Sequence, residues 1–436
     1  MEKISALFKL GIKYLHRYWR RYGFLLAALV FGFAVVTFIT SSKDGMYDNV
    51  YYSAQSHYAG DIIAVGYDTG VSRIRHMGHN EISAVLSAAD EAGTSAKNTV
   101  FRTVYGEEGI VFFNGNAVQQ KYVIGCDWEK EAHLFRGMDF EAPPVLPIGE
   151  DGIILSSPVA HRLGAAAGDS VTLETQTSWG QKNTGTFIVS GIVRDSSIFG
   201  YYKVYISRLY LNRLLTFEDG DCSTIGFFLD DTSSAEQKRF RLQEALMQKT
   251  QTGALVYDRD EMGEETNKPF EGTMVFLFTM PVYLSEISDL LGAMNIITYF
   301  LYVMILLIIL VSVAVTYRLI LHERAREMGI MRAIGFYGGD LRLVLWTEIT
   351  ALGFISLFAG FFLARLLSFA VSFLSFSWFP SFEIFMRNGR LSVLYLPKTV
   401  FINVALVFLV LTVAAMFPIF RASKKHLSSL LTGEPL

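Results

Sequence analysis

The chain has 436 residues, of which 51% are hydrophobic and 18% are charged, and its mean hydropathy is +0.34. It is too apolar for an ordinary soluble protein and too polar to consist of membrane helices throughout. The formal net charge of −3 gives no basic field of the kind that attracts nucleic acid, so we expect no nucleic-acid partner.

Residues 1–21 carry six lysines and arginines against one acid, Glu2, and interleave them with apolar side chains. We predict an amphipathic segment at the cytoplasmic face, because Lys and Arg are retained on that side of a membrane. The apolar run 22–40 follows and predicts the first transmembrane helix. A cleaved signal peptide has the same basic start and apolar middle, but no small-residue cleavage site follows this run.

No spanning run occurs between residues 41 and 289, so this segment predicts a large soluble domain outside the cytoplasm. Short apolar runs such as 99–105 predict strands, whereas 157–163 has helical spacing. Gly168-Asp169 indicates a turn, and Gly191 indicates a bulge within a strand. The mixture of strands and helices favours an α+β fold.

Cys126 and Cys222 are the two cysteines of the chain, and both lie in the predicted outer domain. Two cysteines are too few for a disulfide framework. An oxidising compartment permits one bridge between them, and burial as two small thiols is the alternative. The sequence leaves both open.

Motifs for catalysis and cofactor binding are absent from the sequence. G-x-x-x-x-G-K-[ST], H-E-x-x-H, C-x-x-C and G-x-S-x-G do not occur, so the chain has no P-loop and we expect no cofactor or metal in it. His76, His79 and Glu81 have a spacing that metal sites use, but we interpret the histidines as exposed loop residues. Residues 258–263 match part of a calcium loop but lack essential ligands, so we interpret them as a solvated turn.

Three further apolar runs predict transmembrane helices, because each can cross a hydrocarbon core about 30 Å thick. The predicted order is helix 290–317, cytoplasmic loop 318–342, helix 343–373, outer loop 374–398, helix 399–417 and cytoplasmic tail 418–436. We predict that Glu348, within the third helix, pairs with a nearby arginine such as Arg342. The fold class is an α-helical membrane protein with four transmembrane helices and a large extracytoplasmic α+β domain between the first and second.

The loop 318–342 is densely charged between two apolar runs. Within it, opposite charges recur at i,i+3 spacing, methionines fall near one helical stripe with Ile334, and glycines permit close approach of another backbone. The predicted docking residues are Glu323, Arg324, Arg326, Glu327, Met328, Gly329, Met331, Arg332 and Gly335. The alternative is a solvated loop whose arginines only fix the membrane topology. Such a loop requires positive charge but has no need of glutamates, methionines or glycines.

Residues 323–335, Glu-Arg-Ala-Arg-Glu-Met-Gly-Ile-Met-Arg-Ala-Ile-Gly, resemble the cytoplasmic loop of MacB/FtsX-like permeases of ABC transporters. The segments 152–164, 168–173 and 187–193 resemble the MacB-like periplasmic core domain, with 70–150 as an inserted subdomain. The resemblance implies that the loop is a coupling helix seated in a groove of a separate ATPase subunit. The chain departs from MacB itself, which carries its ATPase in the same chain.

The resemblance implies a multi-pass permease of the bacterial cytoplasmic membrane with both termini in the cytoplasm. Its implied partners are a separate ABC ATPase that binds ATP and Mg²⁺, a second identical or related permease, membrane lipid and an extracytoplasmic protein. The implied work is export, lipoprotein extraction or another task in the cell envelope, and the chain itself is not expected to be an enzyme. A membrane-anchored receptor or scaffold without ATP-driven motion is the alternative, which does not explain the composition of the loop.

Overall fold

The computed structural model describes residues 2–17, 19–69, 74–94, 99–106, 109–194, 203–376, 385–387 and 389–424. The chain separates into two compact units. The first comprises Met1–Asp48, Leu291–Ser375 and Arg390–Leu436, and the second comprises Asn49–Leu290 and Phe376–Gly389. Long helices form the first unit, and a large sheet with short helices forms the second.

The α-helices among the described residues are α1 (Glu2–Arg17), α2 (Trp19–Tyr58), α3 (His79–Glu91), α4 (Ala132–Gly137), α5 (Ser157–Leu163), α6 (Arg208–Leu215), α7 (Ala235–Met247), α8 (Arg259–Asn267), α9 (Met280–Leu284), α10 (Ser288–Glu323), α11 (Ala325–Ala333), α12 (Gly338–Ser372) and α13 (Pro397–Lys424).

The strands among these residues are β1 (Ile62–Asp68), β2 (Ile74–Arg75), β3 (Thr99–Tyr105), β4 (Gly109–Phe113), β5 (Asn116–Gln120), β6 (Tyr122–Cys126), β7 (Phe140–Ala142), β8 (Gly152–Ser156), β9 (Ser170–Gln176), β10 (Lys182–Val193), β11 (Lys203–Ser207), β12 (Thr224–Phe227), β13 (Thr273–Thr279), β14 (Met386–Arg387) and β15 (Arg390–Leu391).

Four helices, α2, α10, α12 and α13, are long and apolar enough to cross a membrane. They confirm the predicted fold class, because the domain of strands and short helices lies between α2 and α10 along the chain. With 40 and 36 residues, α2 and α10 measure about 60 and 54 Å at 1.5 Å per residue, so each exceeds the length that a bilayer core requires. α13 passes through Pro418 to Lys424 and so continues beyond the end predicted at residue 417.

Glycines on α12 allow neighbouring helices to pack closely in the first unit. A Cβ atom on Gly353 would lie 2.6 Å from Leu411 of α13, and one on Gly360 would lie 2.8 Å from the carbonyl oxygen of Val30 in α2. Real Cβ atoms are not found at such short distances. The two helix contacts are therefore possible only because glycine has no side chain at these positions. Small residues serve this purpose in membrane proteins, where no hydrophobic effect drives helices together.

The second unit is built on one mixed sheet. Its described strands follow the order β13-β1-β12-β3-β6-β11-β8-β10-β9-β4-β5, with β2 beside β1 and β7 beside β10. Most neighbours are antiparallel, whereas β8 with β10 and β6 with β11 are parallel. The register of β10 against β8 shifts between Val189 and Gly191, which confirms the predicted bulge, and Gly168 has a φ of +95°, as its turn requires.

Alternating apolar side chains bury this sheet against its helices. Along β9, for example, Val171 and Leu173 are buried while Ser170 is exposed, as a period of two dictates. One hydrophobic cluster joins Phe187 of β10 to Leu211 of α6. Another joins α3 and α7 to β1, β12 and β13. A third joins Phe135 of α4 to Ile154 and Tyr205 of the sheet, so the described part of the domain has three hydrophobic clusters along one continuous sheet.

Several elements depart from the sequence prediction. The described strands between residues 70 and 150 were expected in an inserted subdomain, but β3 pairs with β12, and β6 pairs with β11, in the same sheet. β5 was not predicted, because Asn116–Gln120 is polar and lies at the edge of the sheet, paired with β4. The predicted turn at 258–263 is wrong, because Asp258 accepts a hydrogen bond from Glu261 N at 2.8 Å and begins α8.

Both cysteines are free buried thiols. Cys126 donates to the carbonyl oxygen of Ile206 at 3.3 Å and lies in a different hydrophobic cluster from Cys222. Burial raises the pKa of Cys126 well above its ordinary value and raises that of Cys222 to about 12. The thiolate is the reactive form of cysteine, so neither side chain is an accessible nucleophile.

We predict that neither thiol of the folded chain reacts with a maleimide at pH 8. At a pKa of about 12 the thiolate fraction of Cys222 is roughly one in ten thousand, and burial excludes the reagent as well. Mass spectrometry should show no label before denaturation and two labels after denaturation without a reductant. A single engineered control, Ser170→Cys on β9, reports whether an exposed thiol is labelled. A bridge between the cysteines would instead leave the denatured chain unlabelled until it is reduced.

Candidate functional site

The loop between α10 and α12 contains a short helix with defined ends. The backbone leaves helical geometry at Arg324 and resumes it in α11, Ala325–Ala333. Gly335 has a φ of +106°, and its N–H and that of Phe336 donate to the carbonyl oxygens of Arg332 and Met331, each at 3.1 Å. A left-handed glycine that caps the last carbonyls ends a helix. Gly335 therefore stops α11 and turns the chain toward α12.

One side of α11 is packed inside the first unit. Ala325, Met328 and Met331 are buried in a hydrophobic cluster with residues of α2, α10, α12 and α13, and Gly329 is buried with them. Four of the residues along this short helix thus serve packing. Met328, Gly329 and Met331 hold α11 in place, and their role in docking a partner stays a prediction.

The loop carries exposed residues, which we call the exposed strip: Arg326 and Ile330 on α11, Ile334 at its C-terminal end and Tyr337 after the turn at Gly335. Ile334 and Tyr337 are 75% and 77% exposed, although Ile334 was expected on the methionine stripe. Ile330 and Tyr337 were missed by the sequence prediction. Ile330 lies four residues from both Arg326 and Ile334, and this spacing was the signal that could have placed it beside them. No helical spacing applies to Tyr337, because it follows the turn at Gly335.

Charged residues border this strip. Glu323 is exposed and lies 4.0 Å from Arg21, while Glu327 and Arg332 are half-buried. Glu327 accepts from Nε of Arg324 at 3.3 Å, which confirms one predicted i,i+3 pair. The structure therefore brings Glu323, Arg326, Glu327 and Arg332 to the surface of the loop.

Arg324 lies at the root of α11 and is fully buried. Its Nη1 donates to Glu348 Oε2 at 2.6 Å and its Nη2 donates to Glu348 Oε1 at 3.1 Å. Tyr22 of α2 accepts from Arg324 Nη1 at 2.8 Å and donates to Glu348 Oε2 at 2.7 Å. The guanidinium of Arg324 has no exposed surface, and these bonds position α11. The coupling role of Arg324 stays a prediction. Glu348 therefore pairs with an arginine, as predicted, but the arginine is Arg324 and not Arg342.

Tyr22, Arg324 and Glu348 form a buried triad, and further contacts connect its surroundings to α1, α10 and α13. The guanidinium of Arg324 lies 5.2 Å from the ring centroid of Tyr14 in α1, and the hydroxyl of Tyr317 in α10 donates to the carbonyl oxygen of Leu345 in α12 at 3.3 Å. Arg342 lies instead 5.3 Å from the ring of Phe420 in α13. The position of α11 is consequently fixed by every long helix of the first unit.

The far end of α2, within the second unit, is held by a second buried ion pair. Nη1 of Arg102 donates to the carbonyl oxygens of Ser56 and His57 at 3.1 and 2.8 Å, which are among the last carbonyls of α2. Its Nε and Nη2 donate to Glu131 Oε2 at 2.8 and 2.6 Å. A helix leaves its last carbonyls without internal partners, so Arg102 both caps α2 and joins it to β3.

Asp61 secures the chain just after α2. Its Oδ1 accepts from Tyr51 and Gln55 of α2 at 2.6 and 3.0 Å, and its Oδ2 accepts from Leu229 N at 2.8 Å. The carboxylate is buried, and these three donors replace the water that it loses. The last turns of α2 therefore cannot move without moving the sheet.

The histidines considered for a metal have other roles. His76 Nε2 lies 2.9 Å from Asp221 Oδ2 and its ring lies 4.5 Å from that of Phe217, while Glu81 accepts from Gly78 N at the start of α3. Within the described ranges, no group of three or more His, Cys, Asp or Glu residues is arranged to hold a metal ion.

Comparison with known families connects both units to one kind of protein. Residues 299–427 match the model of the FtsX-like permease C-terminal region, and residues 23–245, half of the chain, match that of the MacB-like periplasmic core domain. The chain belongs to the MacB/FtsX-like family of ABC transporter permeases. Membership of this family and the four apolar helices make it an integral membrane protein.

Solved structures with similar chains include two bacterial proteins. The periplasmic region of MacB from Actinobacillus actinomycetemcomitans is 13% identical, with 54% of this chain and 96% of that chain covered and a TM-score of 0.30. A domain of a putative permease from Porphyromonas gingivalis is 12% identical, with 51% and 89% covered and a TM-score of 0.26. No curated protein matches the chain.

We predict that Glu348→Gln strongly destabilises the first unit. The change leaves the charge of Arg324 buried beside a neutral amide, and breaking a buried ion pair from one side typically costs about 3–5 kcal/mol. The thermal unfolding midpoint of the purified chain in detergent should fall clearly. The matched control is Arg365→Gln on the same helix, where the exposed side chain should contribute less than about 1 kcal/mol.

The double variant Arg324→Leu with Glu348→Leu removes both charges and should recover part of the lost stability. Equal midpoints for Glu348→Gln and Arg365→Gln would show that the pair does not hold α11.

Proposed function

We propose that this chain is the permease subunit of an ABC transporter whose ATPase is a separate protein, and that α11 is its coupling helix. The family places the chain among permeases, and the sequence contains no P-loop of its own. ATP and Mg²⁺ would then bind to the partner. The observation that carries the proposal is a helix that is immobilised on its inner side and presents the exposed strip on its outer side.

The exposed strip has the chemistry of a protein interface. Its centre consists of the apolar side chains Ile330, Ile334 and Tyr337, and Glu323, Arg326 and Arg332 surround it. Interfaces combine an apolar, well-packed centre with a polar rim, and Tyr and Arg are frequent among their strongest contacts. A groove of an ATPase subunit is the occupant that membership of the family favours.

The buried triad supports transmission of force through α11. Arg324 is bonded at once to α2, through Tyr22, and to α12, through Glu348. A push on α11 is therefore applied to two membrane helices instead of bending a free loop. Such a movement is a shift between two packed arrangements, biased by whichever one the nucleotide-bound ATPase prefers.

α2 offers the route from this triad to the outer domain. It is one continuous helix from Trp19 to Tyr58, with Tyr22 bonded to Arg324 near its start and its last carbonyls bonded to Arg102 at its end. We propose that displacement of α11 reaches the sheet of the second unit along this helix. The movement would drive export, lipoprotein extraction or related work in the cell envelope.

The proposed topology places α11 and both termini in the cytoplasm. The six bases of residues 1–21 and Arg318, Arg326, Arg332 and Arg342 of the loop are retained on that side by the positive-inside rule. One crossing by α2 then places the second unit outside the bacterial inner membrane. We further propose that two permeases, identical or related, pair within the membrane, where α2, α10, α12 and α13 contact lipid, and that an extracytoplasmic protein meets the outer domain.

We predict that Ile330→Asp and Ile334→Asp release the ATPase from the permease. Each introduces a charge at the centre of the exposed strip and should weaken the complex by about 2 kcal/mol or more, which is roughly thirtyfold in affinity. The measurement is affinity purification of the tagged chain from its native cells, followed by mass spectrometry and an assay of ATP hydrolysis in the eluate. Unfolding midpoints of the variants should stay unchanged, because both side chains are exposed.

Met247→Asp on α7 of the outer domain is the matched control, since it also places a charge on an exposed apolar side chain. It should retain the ATPase. If the wild-type chain brings down no ATP-hydrolysing subunit, or if the two strip variants bring it down as well as the control does, the chain acts instead as a receptor or scaffold without ATP-driven motion.

A further inference from the structure

An apolar groove of about 740 Å³ opens on the surface of the first unit, between α2, α12 and α13. Its volume lies in the range of ligand sites, about 300–1,000 Å³. Each described residue that lines it is apolar. The residues that carry the argument are Phe33 of α2, Phe354, Phe358 and Phe361 of α12, and Val400 and Val404 of α13.

One helical stripe of α12 forms a wall of this groove. Phe354, Phe358 and Phe361 follow one another at spacings of four and three residues, which places them on one face of the helix. Arg365 lies four residues further on and continues the same stripe. The apolar wall therefore leads to a positive charge.

The floor of the groove is formed by α2. A Cβ atom on Gly360 would lie 2.9 Å from the ring of Phe33, so the missing side chain lets α2 approach α12. Phe33 is 1% exposed and packs in a hydrophobic cluster with residues of α12 and α13. Phe354 and Phe358, in contrast, are 62% and 69% exposed. A firm floor beside exposed rings offers many apolar contacts to a flexible hydrocarbon chain.

Arg365 is oriented by aromatic rings at one end of the groove. Its guanidinium lies 4.1 Å from the ring centroid of Tyr395 and 5.6 Å from that of Phe361. Cation–π contacts orient a guanidinium but leave its N–H donors without an acceptor in their plane. Among the residues that the structure describes, none supplies Arg365 with a hydrogen-bond acceptor or a carboxylate. The exposed guanidinium is therefore available to an anion.

The length of the groove matches one leaflet of a bilayer. Phe354 and Arg365 are separated by about 16 Å along α12 at 1.5 Å per residue, and half of a hydrocarbon core about 30 Å thick is about 15 Å. Tyr395 lies just before the start of α13, and tyrosine rings and snorkelling arginines collect at membrane interfaces. The groove thus runs from an interface toward the bilayer centre.

We propose that this groove binds one phospholipid, with its phosphate on Arg365 and one acyl chain along Phe361, Phe358 and Phe354. A planar guanidinium donates two parallel N–H bonds to a phosphate group. A lipid with a net negative charge should bind best, because no described residue balances the charge of Arg365. The proposed topology makes this the outer leaflet, but the site itself does not depend on coupling to an ATPase.

A second copy of this chain is a less suitable occupant of the groove. Two identical permeases related by a twofold axis along the membrane normal present the same surface to each other at the same depth. Arg365 of one copy would then approach the same residue of the other, and like charges repel strongly beside a bilayer core. A phospholipid brings the opposite charge instead.

Native mass spectrometry of the full chain, purified free of lipid in detergent, tests the proposal. The probes are dioleoyl phosphatidylglycerol, which has a net negative charge, and dioleoyl phosphatidylcholine, which has the same chains and no net charge. The first molecule of phosphatidylglycerol should bind about fivefold more tightly than the first molecule of phosphatidylcholine, which is the gain expected from one arginine beside an anionic headgroup.

Matched variants make the test specific. Arg365→Gln should remove the preference for phosphatidylglycerol, and Arg365→Lys should keep part of it. Val404→Trp should weaken the first binding step of both lipids severalfold, because the indole takes the space of the chain. The controls are Arg421→Gln, at an exposed arginine near the end of α13, and Val311→Trp, at an exposed valine of α10. Both should bind the two lipids as the wild type does.

Unchanged unfolding midpoints of the variants in detergent separate loss of lipid from loss of fold. The proposal is overturned if the wild type binds the two lipids equally, if Arg365→Gln keeps the preference, or if Arg421→Gln removes it as well. It is also overturned if Val404→Trp separates a dimer of the wild-type chain, because the groove is then an interface between two copies.

Discussion

The buried contact among Arg324, Glu348 and Tyr22 determines how the charged loop is held. A buried arginine is shielded from water, so it needs a carboxylate to balance its charge and acceptors for its N–H groups. Without them, the unpaired buried charge is strongly destabilising. Glu348 supplies the charge and Tyr22 completes the hydrogen bonds. Because these partners belong to α12 and α2, the start of α11 is determined by two membrane helices, while Gly335 determines its end.

The same physical device occurs in each unit of the chain. Arg102 is buried, paired with Glu131 and bonded to the carbonyls that end α2, much as Arg324 is buried, paired with Glu348 and bonded to a tyrosine near the start of α2. In both places the arginine spreads several directional hydrogen bonds over different segments. Apolar packing alone allows neighbouring segments to slide past one another, whereas the directional hydrogen bonds of a guanidinium fix one arrangement of those segments. α2 is thereby fastened at each end.

Much of the fold could be predicted from the sequence, because its signals are local. Long apolar runs revealed the four long helices, and short apolar runs revealed strands such as β3. The role of Arg324 could not be predicted in this way, because its partners lie 24 and 302 residues away, and the visible i,i+3 pattern offered Glu327 instead. Periodicity also grouped Ile334 with the methionines, but which side of α11 is buried depends on the neighbouring helices. Polar β5 is a strand only because β4 provides a partner for it.

The division of α11 into two sides has a consequence for how the loop can vary. Methionine and alanine on the inner side are constrained by close packing, where even one added methylene is felt. Ile330, Ile334 and Tyr337 are exposed and lie outside this packed side. Under the proposed function, substitutions there can change which protein is recognised while the packed side of the helix keeps its stability. Natural variation in recognition and preservation of the membrane helices can therefore proceed as separate evolutionary problems.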